Sequence, residues 1–165
     1  MLAYDPIAVA RRQWEEHGWD AAAPAMTLMT SVVRVQQIFV NRIEQELRPI
    51  GLSLARFEVL MMLVFSRTGE LPLGKLGSRL QVQPGAITNA IDRCEADGMV
   101  VRLPHPTDGR TTLARITRKG RAKALKAVEV LNERVYEALD VPADKIEDLV
   151  DLLRTVRCQA GDFPE

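Results

Sequence analysis

The sequence predicts a mainly α protein with one small β-hairpin, and three observations predict it. Apolar residues recur at helical spacing through most of the chain; Leu28, Val32, Val35, Phe39, Ile43 and Leu47 make one continuous stripe. Ser53, Pro72 and Pro84 stand where helices would start, and Gly51 and Gly98 where helices would stop. Strand-forming residues cluster once, in MVVRLPH and RTTLARIT, on either side of the turn-forming PTDG.

Taken in order, Pro6 to Trp14 is a short amphipathic stretch in which Ile7, Ala10 and Trp14 share a face. Asp20 to Pro24 reads as a small-residue linker, and a long helix runs from Thr27 until Pro49 and Gly51 end it. Ser53 can cap LARFEVLMMLVFS, which is apolar nearly all round and so predicts a buried central strut. Arg67 to Leu71 reads as a loop, with Pro72 in the first turn of a helix that buries Leu73, Leu76 and Leu80. Gln81-Val82-Gln83 turns the chain, and the next helix starts at Pro84, with Ile87, Ile91 and Cys94 inward. After the hairpin, Ala122, Leu125, Val128 and Leu131 predict one apolar face running toward Leu139. A break at Val141 to Asp144 precedes a final helix marked by Ile146, Leu149, Leu153 and Val156.

With 165 residues, 47% of them apolar, the chain can bury one core plus a terminal extension. Two cysteines fit a reducing compartment better than a disulfide scaffold. The first residues lack the pattern of a signal peptide, and Val59 to Phe65 is too short an apolar run to span a bilayer. The expectation is a cytoplasmic protein without a membrane partner. Formal net charge is zero but unevenly spread: residues 1–26 carry −2, 27–66 carry +1, 67–123 carry +6 and 124–165 carry −5. A basic middle between acidic ends suits a lobe that faces a polyanion, although charge alone does not separate that from a solvated face.

Helix, tight turn, helix and β-hairpin in that order is a winged helix-turn-helix. The second helix can enter the DNA major groove, which admits one helix, while the hairpin reaches along the duplex. The exposed face that follows Pro84 offers Ala86, Thr88, Asn89, Asp92 and Arg93. Thr and Asn can bond base edges or phosphates, Ala can touch a thymine methyl, and Arg can bond guanine or phosphate. The hairpin tip, Asp108-Gly109-Arg110, adds one more cation.

Residues 71–120 closely resemble the MarR family, above all in VQPGAITNAIDRCEADGMVVR, the wing motif Asp108-Gly109-Arg110 and the ITRKG that follows. The order of elements extends the resemblance to residues 27–157. It implies a homodimer with a helical dimerisation region at 25–52 and 122–165 and a winged helix-turn-helix DNA-binding lobe at 53–121; residues 1–24 read as an N-terminal helical extension outside the resemblance. Trp14 and Trp19 of that extension would pack on the dimer region or on the partner subunit. The resemblance also implies that Arg110 enters the minor groove while Asp108 holds its guanidinium, and that paired lobes read a pseudo-palindrome. Before Pro84 the family usually has Ser or Thr; Gln83 caps poorly and is assigned a DNA contact instead.

The DNA-contact set is therefore Gln83, Pro84, Ala86, Thr88, Asn89, Arg93, Asp108 and Arg110, in a ligand-responsive repressor. Some relatives respond to small aromatic acids or phenols; Phe57, Met61, Met62 and Phe65 could line such a pocket, or be plain core. Catalytic residues, metal ligands and cofactors are not expected. The two histidines and two cysteines lie far apart, and no phosphate loop or nucleophile elbow occurs, so the chain reads as a non-enzyme. Two alternatives stand beside the regulator: a dimeric protein-interaction module that has lost DNA binding, and a redox sensor using Cys94 or Cys158.

Overall fold

In the computed structural model, residues 2–81 and 84–164 are described, with only the backbone of Pro84. Helix α1 (Pro6–Glu16) starts at Asp5, whose carboxylate accepts from the Ile7 N–H at 2.9 Å, and Ile7, Ala10 and Trp14 are all half-buried. The long helix α2 (Ala23–Leu47) begins four residues before the predicted start, because Pro24 occupies its first turn, where a missing N–H costs nothing. Its lower end tightens into a 3-10 turn, Arg48–Ile50, closed by Gly51 in the left-handed region.

Helix α3 (Leu54–Phe65) is the strut the sequence predicts. Ser53 caps it through the Arg56 N–H, and Phe57, Val59, Leu60 and Leu63 are buried; Phe65 at its end is exposed. Helices α4 (Leu73–Leu80) and α5 (Pro84–Ala96) follow, and Leu76, Ile87, Ile91 and Cys94 join the same core. Between them Gln81 is left-handed at φ 52°, a strained conformation for a residue with a Cβ, as a tight interhelical turn demands.

The hairpin of β2 (Val100–Pro104) and β3 (Thr112–Ile116) has a third member. Glu70 and Leu71, expected as loop, form β1 together with Pro72 and pair antiparallel with β3, Leu71 opposite Ala114, so the order is β1-β3-β2. Three residues carry no periodicity; the partner strand alone makes them a strand. Pro72 in turn caps α4 from outside rather than sitting in its first turn. The sheet is thereby tied directly to the first helix of the pair.

Helix α6 (Arg118–Leu131) starts from a Thr117 cap, its hydroxyl accepting from the Gly120 N–H at 3.0 Å. Its buried face is Gly120, Ala124, Ala127 and Leu131, whereas the expected Ala122 and Leu125 are exposed. At the start of this face the helix backbone packs directly against Met99: a Cβ built on Gly120 would stand 2.1 Å from the Met99 carbonyl oxygen. A π-helical turn, Asn132–Tyr136, continues α6, and Arg42 of α2 donates to the carbonyls of Arg134 and Ala138 beside it. Helix α7 (Ala143–Gln159) faces the upper half of α2 across an apolar groove of roughly 790 Å³ that includes Leu28, Met29, Val32, Val150, Leu153 and Val156. Among the described residues, no helix is long and apolar enough to cross a membrane.

Candidate nucleic-acid interface

The interface is built on α5 and the hairpin beside it. Ile87, Ala90, Ile91 and Cys94 anchor α5 inward, which leaves Ala86, Thr88, Asn89, Asp92 and Arg93 exposed on the opposite face. Pro84 opens the helix as the sequence predicts; Gln83 lies outside the described residues. Arg93 has no ion-pair partner among the described residues, so its guanidinium stands available for an outside anion.

The wing tip is organised by one carboxylate. Asp108 Oδ1 accepts from the Arg110 backbone N–H at 3.0 Å, Oδ2 accepts from the Thr111 hydroxyl at 2.6 Å, and the Thr111 N–H returns to the Asp108 carbonyl at 3.0 Å. The Thr111 hydroxyl, then the Arg110 N–H, hold Asp108 below the usual carboxylate range. The resemblance implied a different arrangement, with Asp108 gripping the Arg110 guanidinium; among the described residues no ion pair joins those two side chains. The carboxylate is spent on backbone and hydroxyl donors, which close the turn locally. Arg110 is exposed at the tip. Gly109 needs no glycine-only conformation: its φ is not positive, and a Cβ there would meet nothing within 4 Å.

Helix and wing are joined by Arg102 on β2, a residue that no sequence motif singles out. Its guanidinium pairs with both Asp92 and Glu95 of α5, and its backbone N–H donates to Glu95 Oε1 at 3.2 Å. The available signal was two acids three residues apart on a helix, followed across a glycine turn by a strand arginine. Arg56 of α3 similarly pairs with Asp97 just past the end of α5, and Lys119 donates to the Asp97 carbonyl at 2.7 Å. Cys94 is fully buried, and burial pushes its thiol above the ordinary range against the pull of Arg56. That placement removes Cys94 as an accessible redox group; Cys158 is half-buried on α7.

A helix pair over a central strut, the second helix polar outward, with a hairpin clamped beside it, defines a winged helix-turn-helix protein. Residues 52–112 match the model of the MarR family. The chain is similar to the transcriptional regulator MhqR of Bacillus subtilis, 29% identical over 147 residues that cover 84% of this chain and 95% of that protein. It is similar in structure to Sco5413, a MarR family regulator of Streptomyces coelicolor, with a TM-score of 0.78 and 39% identity over 86% of this chain and 99% of the other. It also resembles a mutant MarR of Escherichia coli complexed with operator DNA, with a TM-score of 0.74 and 27% identity over 83% and 98% of the two chains. The chain belongs to the MarR family of transcriptional regulators.

Proposed function

We infer that this regulator binds a pseudo-palindromic operator sequence-specifically, as a homodimeric repressor whose affinity a ligand tunes. The observation that carries the reading is the pairing of an outward polar face on α5 with an exposed Arg110 on a tip that closes itself without using that guanidinium. Thr88, Asn89 and Arg93 supply donors and acceptors for the major groove, Ala86 an apolar contact, and Pro84 opens the helix, where phosphate is favoured, with Gln83 before it in the sequence. Arg110 suits the narrow minor groove alongside. That the Escherichia coli relative was crystallised on operator DNA supports the same use of the fold here.

A second copy is the fitting cover for the apolar residues that α2 and α7 leave exposed, among them Met29, Val33, Phe39, Val150 and Leu152. Two lobes so joined would meet half-sites about one helical turn apart. Ligand response is supported by a groove of roughly 300 Å³ between α3 and α6 that includes Phe57, Met61, Met62, Phe65, Glu58 and Tyr136. An effector seated there would act by favouring a lobe spacing that misfits the operator.

The deciding experiment is a gel shift on DNA upstream of the protein's own gene, over a series of salt concentrations. Binding with a steep salt slope is expected, together with a loss of about 10- to 100-fold on Arg110→Ala. Absence of binding at low salt, or indifference to Arg110, would overturn the DNA reading.

A further inference from the structure

The basic segment 67–123 contains five carboxylates, and each is engaged. Glu70 is held by Arg115, Asp97 by Arg56, and Asp108 by the Arg110 N–H and the Thr111 hydroxyl. Asp92 and Glu95 share one guanidinium, that of Arg102. This last arrangement differs in place and in consequence. Both acids belong to the helix that would enter the groove, and Asp92 sits beside Arg93 and one turn beyond Thr88 and Asn89.

We propose that Arg102 is a positioning residue for DNA recognition that acts by engaging both Asp92 and Glu95, which turns their carboxylates to its own guanidinium and halves the negative charge that α5 carries on its polar face. The proposal rests on the DNA-binding reading above. An unpaired Asp on this face would repel phosphate. It would also offer itself as an acceptor for a cytosine amino group, imposing a base preference of its own. Arginine suits the task because its planar fork can serve two carboxylates at once, which the single ammonium of lysine does less well. The Arg102 side chain is only 25% exposed, while those of Asp92 and Glu95 are 56% and 40% exposed. The shielded cation thus keeps two accessible anions occupied. Seen this way, Asp92 belongs to the charge balance of the face and not to its set of base readers.

The test is a double-mutant cycle on the full-length protein, read by fluorescence anisotropy on the same upstream DNA across salt concentrations, with thermal melts alongside. Arg102→Met should weaken binding by about tenfold at 0.1 M salt, with a deficit that shrinks as salt rises, because two acids then face phosphate unscreened. Arg102→Lys should fall between Arg102→Met and wild type. Adding Asp92→Asn and Glu95→Gln to Arg102→Met should restore affinity to within about threefold of wild type, a recovery that lost packing would not give. In the Arg102 background the same two neutral substitutions should change affinity by less than about threefold, since both carboxylates are already held by Arg102 and not turned to phosphate; this arm stands even if Arg102→Met fails to fold. Wild-type affinity for Arg102→Met overturns the proposal, as does failure of the triple variant to recover, or a gain of about tenfold from neutralisation with Arg102 in place. If the wild type itself does not bind, the DNA reading falls and this proposal with it; if it binds in an Arg110-dependent way, only the proposal is at stake.

Discussion

Gly120→Ala probes the joint on which the relation between α5 and the wing depends. An added Cβ would stand 2.1 Å from the Met99 carbonyl oxygen and 3.0 Å from Ile116 Cγ1. An ordinary carbon–oxygen contact is about 3.3 Å, so α6 or the Met99 peptide must retreat by about 1 Å. Neither is free to move. The Met99 carbonyl accepts from the Thr117 N–H at 3.0 Å, and the Thr117 hydroxyl donates to the Gly98 carbonyl at 2.8 Å while capping α6. Overpacking against backbone costs about 1–3 kcal/mol and occasionally more; about 3 kcal/mol is the fitting figure for this joint. For a chain of this length that corresponds to a fall of about 6–12 °C in Tm. Met99 links the end of α5 to the first wing strand, so operator affinity should fall even at temperatures where the variant is fully folded. Differential scanning calorimetry and anisotropy at 15 °C give the two readings. A Tm within about 2 °C of wild type would refute the close-approach argument, because no relaxation that cheap is available at a bonded peptide.

Gly109→Ala, eleven residues earlier, should do almost nothing: its φ is not positive, space for a Cβ is open, and Tm and operator affinity should stay within error of wild type. Cys94 should resist alkylation in the native protein and react only as the chain unfolds, whereas Cys158 should label first; mass spectrometry of iodoacetamide-treated protein over a urea series reads this directly. Asp108 has a lowered pKa, so the order its carboxylate gives the wing tip is present above the ordinary carboxylate value of about 3.9 and is lost as pH falls through the lower folded value. The Thr111 amide resonance should therefore hold steady from pH 8 to pH 5 and move only in stronger acid, and Asp108→Asn should remove that acid transition.

The parts of the fold that announce themselves in the sequence are those with a period. Helices α2, α3 and α5 follow from apolar spacing and from the stops at Gly51 and Gly98, and the hairpin follows from two β-rich runs around a turn. Strand β1 does not announce itself, because Glu70–Pro72 becomes a strand only through β3. The inward face of α6 departs from the apolar spacing for a related reason. Leu125 is the more hydrophobic residue, but the buried face is Gly120, Ala124, Ala127 and Leu131, and at Gly120 the close approach of the Met99 backbone admits no side chain. At the candidate interface, the exposed positions on α5 and the wing arginine were readable from the residue types. The partner of Asp108 was not, since three donors within three residues compete for one carboxylate and only geometry decides among them. Arg102 was hidden by distance along the chain, seven and ten residues from the acids it holds.

Both edge strands of the small sheet finish on proline, Pro72 opposite Leu113 and Pro104 opposite Thr112, at the same end of β3. Proline offers no N–H to an incoming chain, so the sheet cannot lengthen at that end by recruiting a strand from another molecule. The matter is pressing for this chain in particular. Its formal net charge at neutral pH is zero, so copies lack the mutual repulsion that keeps many proteins apart. Two rings that cannot donate a hydrogen bond stand guard where charge does not, and they do so at the base of the part that must stay uncovered to meet DNA.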